Sequence, residues 1–287
     1  MEEETMKRPF CKHLAETPLV SVIIPTLNSG KTLERCLKSI QNQKYKNIEI
    51  IVVDAFSSDE TRQIVHKFAG KIFLLAKERS FARNFGAKQA KGHFLLFVDS
   101  DMELTSNAIA ECVALCVFGK ADAVIIPEEA SGEGFLVECR KLEKRMRLKE
   151  FFGEAPRFFK SKVFQFVGGY DENLVTGEDF ELAQRVRAAG FLIGRCRASI
   201  THHEENLSLK KVVSKVYYYG KKLPIYIQKE PALAFKTSSP IRFFKHTSLL
   251  RRYPIYFTGL CLLKMVEYFA YFAGFFASLS SKLFTKR

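Results

Sequence analysis

Short apolar segments and amphipathic segments alternate along the first half of the chain. Runs such as VSVIIPTL (20–27) and IEIIVVD (48–54) are almost continuously apolar and rich in β-branched residues, which predicts strands buried on both faces. Between such runs apolar residues recur at helical spacing, as Leu33, Leu37 and Ile40 do. The predicted strands are 20–27, 48–54, 72–76, 94–99 and 121–127, and the predicted helices are 31–43, 61–69, 80–90 and 106–118. This alternation predicts an α/β fold in which a parallel sheet carries helices on both faces.

The pattern is less regular after residue 127. Residues 127–135 (PEEASGEGF) are rich in glycine and acids and predict a loop, whereas residues 137–152 predict an exposed helix. A short apolar, strand-like piece at 163–167 leads into a glycine pair, after which Gly-Glu-Asp at 177–179 begins an amphipathic helix. Gly190 lies where helices commonly end on a left-handed glycine, so we expect the helix to end there.

Charge is distributed unevenly along the chain. The formal net charge is +14, but the residues from Lys210 to the end carry 15 Lys and Arg against two acids. The first 209 residues hold 30 basic and 29 acidic residues and are therefore close to neutral. The basic tail also carries most of the continuous aromatic runs. This combination favours an anionic membrane surface over nucleic acid as the partner of the tail.

The tail contains an apolar segment, 253–279, that is long enough to span a bilayer. Lys264 and Glu267 lie near its middle, where each charge would cost about 2.5–3.5 kcal/mol on insertion, and basic residues flank both ends. We therefore expect helices in the membrane interface, or a shallow re-entrant pair. A single spanning helix and a soluble core or oligomer contact are the alternatives. The predicted organisation is an N-terminal extension (1–18), an α/β domain (19–205) and a helical membrane-associating tail (206–287).

The cysteines and the N-terminus indicate the compartment. The seven cysteines are scattered, with no Cys-x-x-Cys pair, which is typical of small buried side chains in a reducing environment. The first residues, MEEETMKRPF, are acidic and polar and do not resemble a secretory signal. We therefore expect the protein at the cytoplasmic face of the cell membrane.

Polar side chains follow the ends of three predicted strands. They are Thr26 and Asn28 after the first strand, Asp54, Ser57 and Asp59 after the second, and Asp99 and Asp101 after the fourth. Ligands of parallel α/β sheets bind at the carboxyl ends of the strands, so these residues predict one acidic, hydroxyl-lined crevice. The chain has neither a GxGxxG nor a GxxxxGK[ST] loop, so the crevice is not predicted to be a dinucleotide fingerprint or a P-loop.

Asp99 and Asp101 form an Asp-x-Asp pair at the end of the fourth strand. On an extended backbone the two carboxylates would point the same way. Oxygen ligands at a strand tip suit Mn²⁺ or Mg²⁺, which share their remaining ligands with water and substrate phosphates. By themselves, the two residues are also compatible with a solvated turn that caps the next helix.

Four sequence blocks make the interpretation of this crevice more specific. VSVIIPTLN, IIVVDAFSSDET, RSFARNFGAKQAKGHFLLFVDSDMEL and FVGGYDENLVTGEDFELAQRVRAAG follow one another in this order. Together they resemble the family 2 inverting glycosyltransferases, which have the nucleotide-sugar-binding GT-A fold. The resemblance covers about residues 19–205. It implies a Rossmann-like, mostly parallel sheet and transfer of a sugar from a nucleoside diphosphate sugar.

The resemblance implies a donor site at the first two strand ends. Pro25, Thr26 and Asn28 would line the pocket for the nucleotide base, and Asp54 would accept the imide hydrogen of that base. A strand-end cap is the alternative role for Asp54. The family commonly has Asp-Gly after this aspartate, whereas this chain has Ala-Phe at 55–56, so we expect a different local loop.

The resemblance also implies a diphosphate and metal site. Asp99 would face the ribose and the metal, with Ser100 on the same donor surface, and Asp101 would hold Mn²⁺ or Mg²⁺ across the diphosphate. His202 would approach the ion, with the adjacent His203 as the alternative. The ion would neutralise the charge that develops on the departing nucleoside diphosphate.

Three further residues receive roles from the resemblance. Asp179 would be the general base that takes the proton of the acceptor hydroxyl, and Glu178 would orient the acceptor or the base. Alternatively, these two acids only complement the dipole of the helix that they begin. Arg83 would bind the diphosphate or the Asp-x-Asp carboxylates, unless it forms an ordinary surface salt bridge.

The leading hypothesis is a metal-dependent inverting glycosyltransferase at a membrane surface. Its donor would be a nucleoside diphosphate sugar, and its acceptor a polyprenyl-linked saccharide, a polyprenyl phosphate or another glycoconjugate precursor. A sugar-nucleotide nucleotidyltransferase is one alternative, although TLNSGKT is a poor match to the phosphate loop of that class. A non-enzymatic, membrane-docked carbohydrate-binding protein is the other.

Overall fold

The computed structural model describes residues 17–68, 70–147, 154–204, 207–232 and 251–284. The strands are β1 (Val20–Thr26), β2 (Ile48–Asp54), β3 (Lys71–Leu74), β4 (Phe94–Phe97), β5 (Met102–Leu104), β6 (Ala123–Ile125), β7 (Glu128–Ser131), β8 (Phe158–Lys160), β9 (Ile193–Arg195) and β10 (Ile200–His203). The helices are α1 (Leu33–Gln41), α2 (Thr61–Lys67), α3 (Arg79–Gln89), α4 (Ala108–Val117), α5 (Phe135–Arg147), α6 (Ser161–Phe166), α7 (Glu178–Ala188), α8 (Leu209–Lys229) and α9 (Pro254–Phe284).

Seven strands form the central sheet, in the order β3-β2-β1-β4-β8-β6-β9. All pairs are parallel except those of β8, which runs antiparallel to both of its neighbours. Successive residues of a strand face opposite sides of a sheet. Val22 and Ile24 of β1 therefore pack with α1 and α4 on one side, while Ile23 packs with α3 and α7 on the other. The predicted α/β sheet with helices on both faces is confirmed.

Two local predictions for the second half of the domain are wrong. Residues 163–167, predicted to be strand-like, lie largely in helix α6, which buries Val163 and Phe164 and exposes Phe166. Residues 127–135, predicted to be a loop, contain β7, which becomes a strand because it pairs with β10 more than 60 residues further along the chain. Helix α5 begins at Phe135 and is described as far as Arg147, so the predicted continuation to 152 lies outside the described residues.

The Asp-x-Asp segment does not continue a strand. β4 ends at Phe97, and the following residues form a turn in which the N–H of Met102 donates to the carbonyl oxygen of Asp99 (3.0 Å). β5 begins at Met102 and belongs to a second, three-stranded sheet with the order β5-β10-β7. The expectation that Asp99 and Asp101 point the same way on an extended backbone is therefore wrong, and the turn gives each carboxylate different partners.

The C-terminal helices α8 and α9 pack on each other and on the α/β domain. α9 contacts α5 through Leu260 and Leu263, which are buried against Cys139. α8 reaches the start of α7, where Tyr226 lies against Gly177 so closely that a Cβ on this glycine would be 2.3 Å from the tyrosine ring. Gly177 has a φ of 75°, so the backbone there is also in the region that favours glycine.

The two charged residues in the middle of α9 face the α/β domain. Lys264 Nζ donates to Glu143 Oε1 (2.8 Å) and to Glu267 Oε2 (2.6 Å). Arg140 of α5 completes the set with hydrogen bonds to Glu143 and Glu267. Each of these charges has a partner of opposite sign, as buried charges require. The predicted cost of placing Lys264 and Glu267 in lipid therefore does not arise in this arrangement.

The opposite face of α9 is apolar and exposed. Phe269 is 74% exposed, and Leu262, Met265, Phe272 and Phe276 lie on the same face at helical spacing. Within the described residues, Pro254–Ser280 is the one helix long and apolar enough to cross a bilayer, judged by length and composition alone.

α8 and α9 cross at two glycines. A Cβ on Gly220 would lie 2.1 Å from the carbonyl oxygen of Tyr271, and a Cβ on Gly274 would lie 2.2 Å from that of Tyr217. The space between the helices is therefore too small for any side chain, and the two backbones touch directly.

We expect Gly220→Ala to lower the free energy of unfolding by about 2 kcal/mol, because the added methyl group forces the helices apart. Chemical denaturation of the detergent-solubilised protein measures this. Ser214→Ala, at an exposed position of the same helix, is the matched control and should be at least as stable as the parent protein. Equal stability of the two variants would contradict the close crossing.

Candidate active site

Hydrogen bonds tie the ends of β1 and β2 together at one edge of the sheet. Thr26 Oγ1 donates to Asp54 Oδ1 (2.9 Å), and the N–H of Ser57 donates to Asp54 Oδ2 (2.9 Å). The N–H of Asn28 donates in turn to Ser57 Oγ (2.8 Å). Asp54 is completely buried. Its carboxylate therefore fixes the two loops relative to each other, whatever else it binds.

A cavity of about 390 Å³ opens at this edge of the sheet. Its walls include Pro25, Thr26, Asp99, Ser100 and Asp101, which come from the ends of β1 and β4. The structure thus brings together most of the residues that the sequence assigned to the donor and the metal. Asn28, Asp54 and Arg83 are not among the lining residues, and the buried Asp54 contacts the wall through its hydrogen bond with Thr26.

Both loops beside this cavity contain a residue with an unusual backbone. Asn28 has a φ of 49° and Phe56 a φ of 57°, which is the left-handed region. Asparagine tolerates this conformation, but it is strained for a bulky residue such as phenylalanine. The turn at Phe56 thus has a backbone conformation that suits glycine. The ring of Phe56 is 58% exposed and directly follows Ala55, which lines the cavity.

Arg83 of α3 lies at the centre of the charged site. Its side chain is 1% exposed, and Nη2 donates to Asp99 Oδ1 (2.7 Å) while Nη1 donates to Asp179 Oδ1 (3.1 Å). Nη1 also lies 3.4 Å from Glu178 Oε1, and the guanidinium stands 5.1 Å from the centre of the Tyr170 ring. A single cation therefore joins the turn after β4 to the start of α7. Of the contacts predicted for Arg83, the structure shows the one with the Asp-x-Asp pair, through Asp99.

A second arginine, Arg157, holds the other side of Asp99. Its Nη1 lies 3.4 Å from Asp99 Oδ2, and its Nε and Nη2 donate to Glu128 Oε1 at 2.8 and 2.5 Å. Burial by itself would raise the pKa of Asp99, but Arg83 and Arg157 outweigh it and hold that pKa well below its ordinary value. In the same way Arg157 and Lys144 overcome burial and lower the pKa of Glu128 to about 2. Both carboxylates are therefore ionised at neutral pH.

Asp101 has a different partner. Pairing of β5 with β10 brings its Oδ2 to 2.9 Å from Nε2 of His202. Burial would raise the pKa of Asp101, but the hydrogen bond and charge of His202 lower it on balance. His203 pairs instead with Glu103 (2.9 Å), so His202 is the histidine that shares the cavity with Asp101.

These donors fit a divalent ion that brings part of its own coordination shell. Among the described residues there is no group of three or more His, Cys, Asp or Glu side chains arranged to hold a metal. Asp101 and His202 both line the cavity and are hydrogen-bonded to each other through Oδ2 and Nε2, whereas both oxygens of Asp99 face arginines. Such a partial set suits an ion that takes its other ligands from water and a diphosphate.

Asp179 opens onto a second cavity of about 180 Å³. Glu128, Lys144, Arg147 and Arg157 line this cavity with it. The neighbouring Glu178 is instead buried against Arg79, whose Nη2 donates to its Oε1 (2.5 Å). Burial and the adjacent Asp179 charge raise the pKa of Glu178 in spite of the arginines. The two acids of Gly-Glu-Asp therefore have different surroundings, and Asp179 is the one that reaches a cavity.

Several charged residues of the site were missed by sequence reasoning. They are Arg79, Glu128, Lys144, Arg157 and Lys215. Arg79 lies four residues before Arg83, and this helical spacing was a usable signal. The others meet partners from distant parts of the chain; Lys215, for example, comes from α8 and lies on the wall of the cavity beside Asp101.

Residues 21–166 match the family described as "Glycosyl transferase family 2". One curated relative, the GalNAc(5)-diNAcBac-PP-undecaprenol beta-1,3-glucosyltransferase of Campylobacter jejuni, is 33% identical over 165 residues, which are 52% of this chain and 53% of that protein. The poly(ribitol-phosphate) beta-N-acetylglucosaminyltransferase TarS of Staphylococcus aureus is 35% identical over 115 residues, 37% of this chain. The chain thus spans about half the length of the first relative and, at 20%, a fifth of the second.

Solved structures show the same fold at low sequence identity. The mannosyltransferase PcManGT from Pyrobaculum calidifontis, in complex with GDP-Man and Mn²⁺, has a TM-score of 0.61 at 18% identity, covering 93% of this chain and 89% of that one. TarS 1–349 from S. aureus, in complex with UDP-GlcNAc, has a TM-score of 0.53 at 21% identity, covering 71% and 66%. The predicted GT-A fold is confirmed.

We expect Arg83→Met to lower the free energy of unfolding by about 3–5 kcal/mol, because it leaves buried carboxylates without their shared cation. Adding Asp99→Asn to this variant should restore part of the loss, since asparagine carries no charge. Lys38→Met is the control: its pair with Glu34 is 59% and 50% exposed, and its loss should cost less than about 1 kcal/mol. Denaturation curves compare the three variants, and similar losses for Arg83→Met and Lys38→Met would contradict the central role of Arg83.

Proposed function

Because the chain belongs to glycosyl transferase family 2, we propose that it moves a sugar from a nucleoside diphosphate sugar to a membrane-associated acceptor with inversion at the anomeric carbon. One observation carries the proposal. The buried guanidinium of Arg83 holds Asp99 beside the 390 Å³ cavity and Asp179 beside the 180 Å³ cavity. Arg83 thereby fixes the distance between Asp99, on the proposed donor side, and Asp179, on the proposed acceptor side.

The larger cavity is the proposed donor site. Pro25 and Thr26 form its inner wall for the base and ribose, while Lys77, Arg79 and Lys215 supply positive charge for the diphosphate. Two structural neighbours, a mannosyltransferase and TarS, are described with GDP-Man and UDP-GlcNAc bound, which supports this class of donor.

A divalent ion, Mn²⁺ or Mg²⁺, belongs to the proposed site. Asp101 and His202 would hold it together with diphosphate oxygens, and it would neutralise the charge of the leaving nucleoside diphosphate. Asp99 orients this region through its ion pairs with Arg83 and Arg157. The description of one structural neighbour with Mn²⁺ supports the choice of ion.

Asp179 is the proposed general base. It would accept the proton of the acceptor hydroxyl, so that the oxygen can attack the anomeric carbon from the side opposite the leaving diphosphate. Its ion pair with Arg83 orients the carboxylate, and the start of α7 favours a negative charge there. With a phosphate as the acceptor, which is already deprotonated, Asp179 would position the nucleophile only.

The proposed acceptor is bound at the cytoplasmic face of a membrane. The exposed apolar face of α9 would lie in the interface, and exposed lysines of α8 such as Lys221 would meet anionic headgroups. Lys264 and Glu267 point towards α5, which supports an in-plane helix over a spanning one. The name of the Campylobacter relative includes a PP-undecaprenol substrate, which supports a lipid-linked acceptor.

Asp101→Asn and Asp179→Asn should separate donor binding from transfer. A screen of UDP- and GDP-sugars first identifies the nucleotide sugar that raises the melting temperature of the parent protein in the presence of Mn²⁺. We expect Asp101→Asn to lose this Mn²⁺-dependent increase. Asp179→Asn should keep that increase but transfer sugar to membrane extracts about 10²–10⁴-fold more slowly.

Glu103→Gln, on β5 two residues after Asp101 but paired with His203, is the control and should retain both properties. Full transfer by Asp179→Asn would refute the assignment of the base. Absence of any nucleotide-sugar binding by the parent protein would favour a non-enzymatic role, and release of inorganic diphosphate would indicate a nucleotidyltransferase.

Phe269→Asp should weaken binding to vesicles that contain phosphatidylglycerol by at least tenfold, because it places a charge in the apolar face of α9. Vesicle sedimentation measures the effect. Phe166→Asp is the matched control, because Phe166 is equally exposed, at 74%, but belongs to α6 of the α/β domain. A similar loss in both variants would count against α9 as the membrane-binding face.

A further inference from the structure

We propose that a third cavity, enclosed by α5, α8 and α9, binds the phosphate or diphosphate group of a prenyl-linked acceptor. This cavity, called here the basic chamber, has a volume of about 660 Å³. The side chains used in the argument are Lys31, Lys144, Arg147, Lys211, Lys215 and Glu128. The inference rests on the proposed glycosyltransferase function and assigns a place for the acceptor's anionic group.

The basic chamber adjoins both cavities of the candidate active site. It shares Asp101, His202 and Lys215 with the donor cavity, and Lys144 and Arg147 with the cavity of Asp179. Glu128 lines all three cavities, so they meet at its side chain. A group bound in the chamber is thus next to the reacting centre and on the other side of a wall that the chamber shares with the donor cavity.

The charges on the inner wall of the chamber compensate one another. Lys264 and Arg140 are neutralised by Glu143 and Glu267, through the buried set that joins α5 to α9. A cation already paired in this way has little to offer an anionic ligand. The binding charge of the chamber must therefore come from its other cations.

Four lysines of the chamber lie outside this buried set. Lys31, Lys211 and Lys215 form no ion pair with any residue in the described part of the chain. Lys144 is more enclosed, with Nζ 3.6 Å from Glu128 Oε2 and 3.2 Å from Nδ1 of His202. Three lysines without an ion pair in the described part of the chain, next to a fourth that shares Glu128, suit a ligand that carries several negative charges, as a phosphate or diphosphate does.

Part of the wall is apolar, which restricts the ligand further. Leu207, Val212 and Val216 line the chamber beside the lysines, and they belong to α8 or directly precede it. An anion attached to a hydrocarbon chain satisfies both kinds of surface, whereas free phosphate or a second nucleotide satisfies only the charged one.

The position of Lys144 favours an acceptor over a bulk lipid headgroup. Arg147 lines both the cavity of Asp179 and the chamber, but it is paired with Glu143. The side chain of Lys144 also lines the cavity of Asp179 as well as the chamber, so an anion bound to Lys144 lies beside the proposed base. For a prenyl phosphate, this position presents a phosphate oxygen as the nucleophile. For a prenyl diphosphate saccharide, it directs the attached sugar towards Asp179.

Binding of geranyl diphosphate, a water-soluble prenyl diphosphate, tests the chamber without donor or transfer. Titration calorimetry in EDTA excludes metal-dependent binding at the donor site. We expect Lys211→Glu to weaken binding at least tenfold, because Lys211 lines only the chamber. Lys210→Glu makes the same charge change at the preceding exposed position of the chain and should stay within twofold of the parent protein. An excess of UDP should not displace the probe.

Equal affinities of the two variants, or complete displacement of the probe by UDP, would overturn the proposal. Binding to phosphatidylglycerol vesicles provides the second arm, in which both variants should lose affinity to a similar degree. A different outcome is that Lys211→Glu weakens vesicle binding more than Lys210→Glu does and leaves the binding of geranyl diphosphate unchanged. In that case the chamber would be a headgroup site, and the acceptor assignment would be wrong. Failure of sugar transfer with intact probe binding would refute the proposed function and not the anion site.

Discussion

The site depends on one buried cation. The guanidinium of Arg83 is almost completely enclosed and bridges Asp99, in the turn after β4, and Asp179, at the start of α7. A carboxylate that is largely removed from water needs a partner of opposite charge, and a planar guanidinium can bind two carboxylates at fixed angles. The sheet edge and α7 are thereby held in one relative position. Arg157 extends the same principle from Asp99 to Glu128, where the three cavities meet.

Sequence reasoning was most successful where local patterns determine the structure. Alternating apolar and amphipathic segments identified the first strands and helices, and the strand ends then located Thr26, Asp54 and Asp99. β8 and α6 were not predicted as such, because their identity depends on pairing and packing with distant segments. Arg157 was missed for the same reason: its partner Asp99 is 58 residues away, and no periodicity connects the two positions.

The tail illustrates a different limit. Its composition differs from that of the first 209 residues, since the excess of basic residues and the long aromatic runs are concentrated there. Composition does not reveal that Lys215 reaches the donor cavity or that Tyr226 lies against Gly177. It also does not show how Lys264 and Glu267 are accommodated, because their partner Glu143 belongs to α5. Helix α8 of the tail therefore contributes to the wall of the site, in addition to the proposed membrane contact of the tail.

The direct contact of backbones at Gly220 and Gly274 has a consequence for how the two substrates arrive. Helices that touch without intervening side chains have little room to slide, so α8 fixes the orientation of the site relative to the outer face of α9. With α9 bound to the membrane as proposed, the cleft is then held at a constant height above the bilayer. The sugar donor reaches it by diffusion in three dimensions from the aqueous phase, while the acceptor arrives laterally in two. Turnover would then follow the surface density of the acceptor, and dilution of the cytosol would affect only the donor.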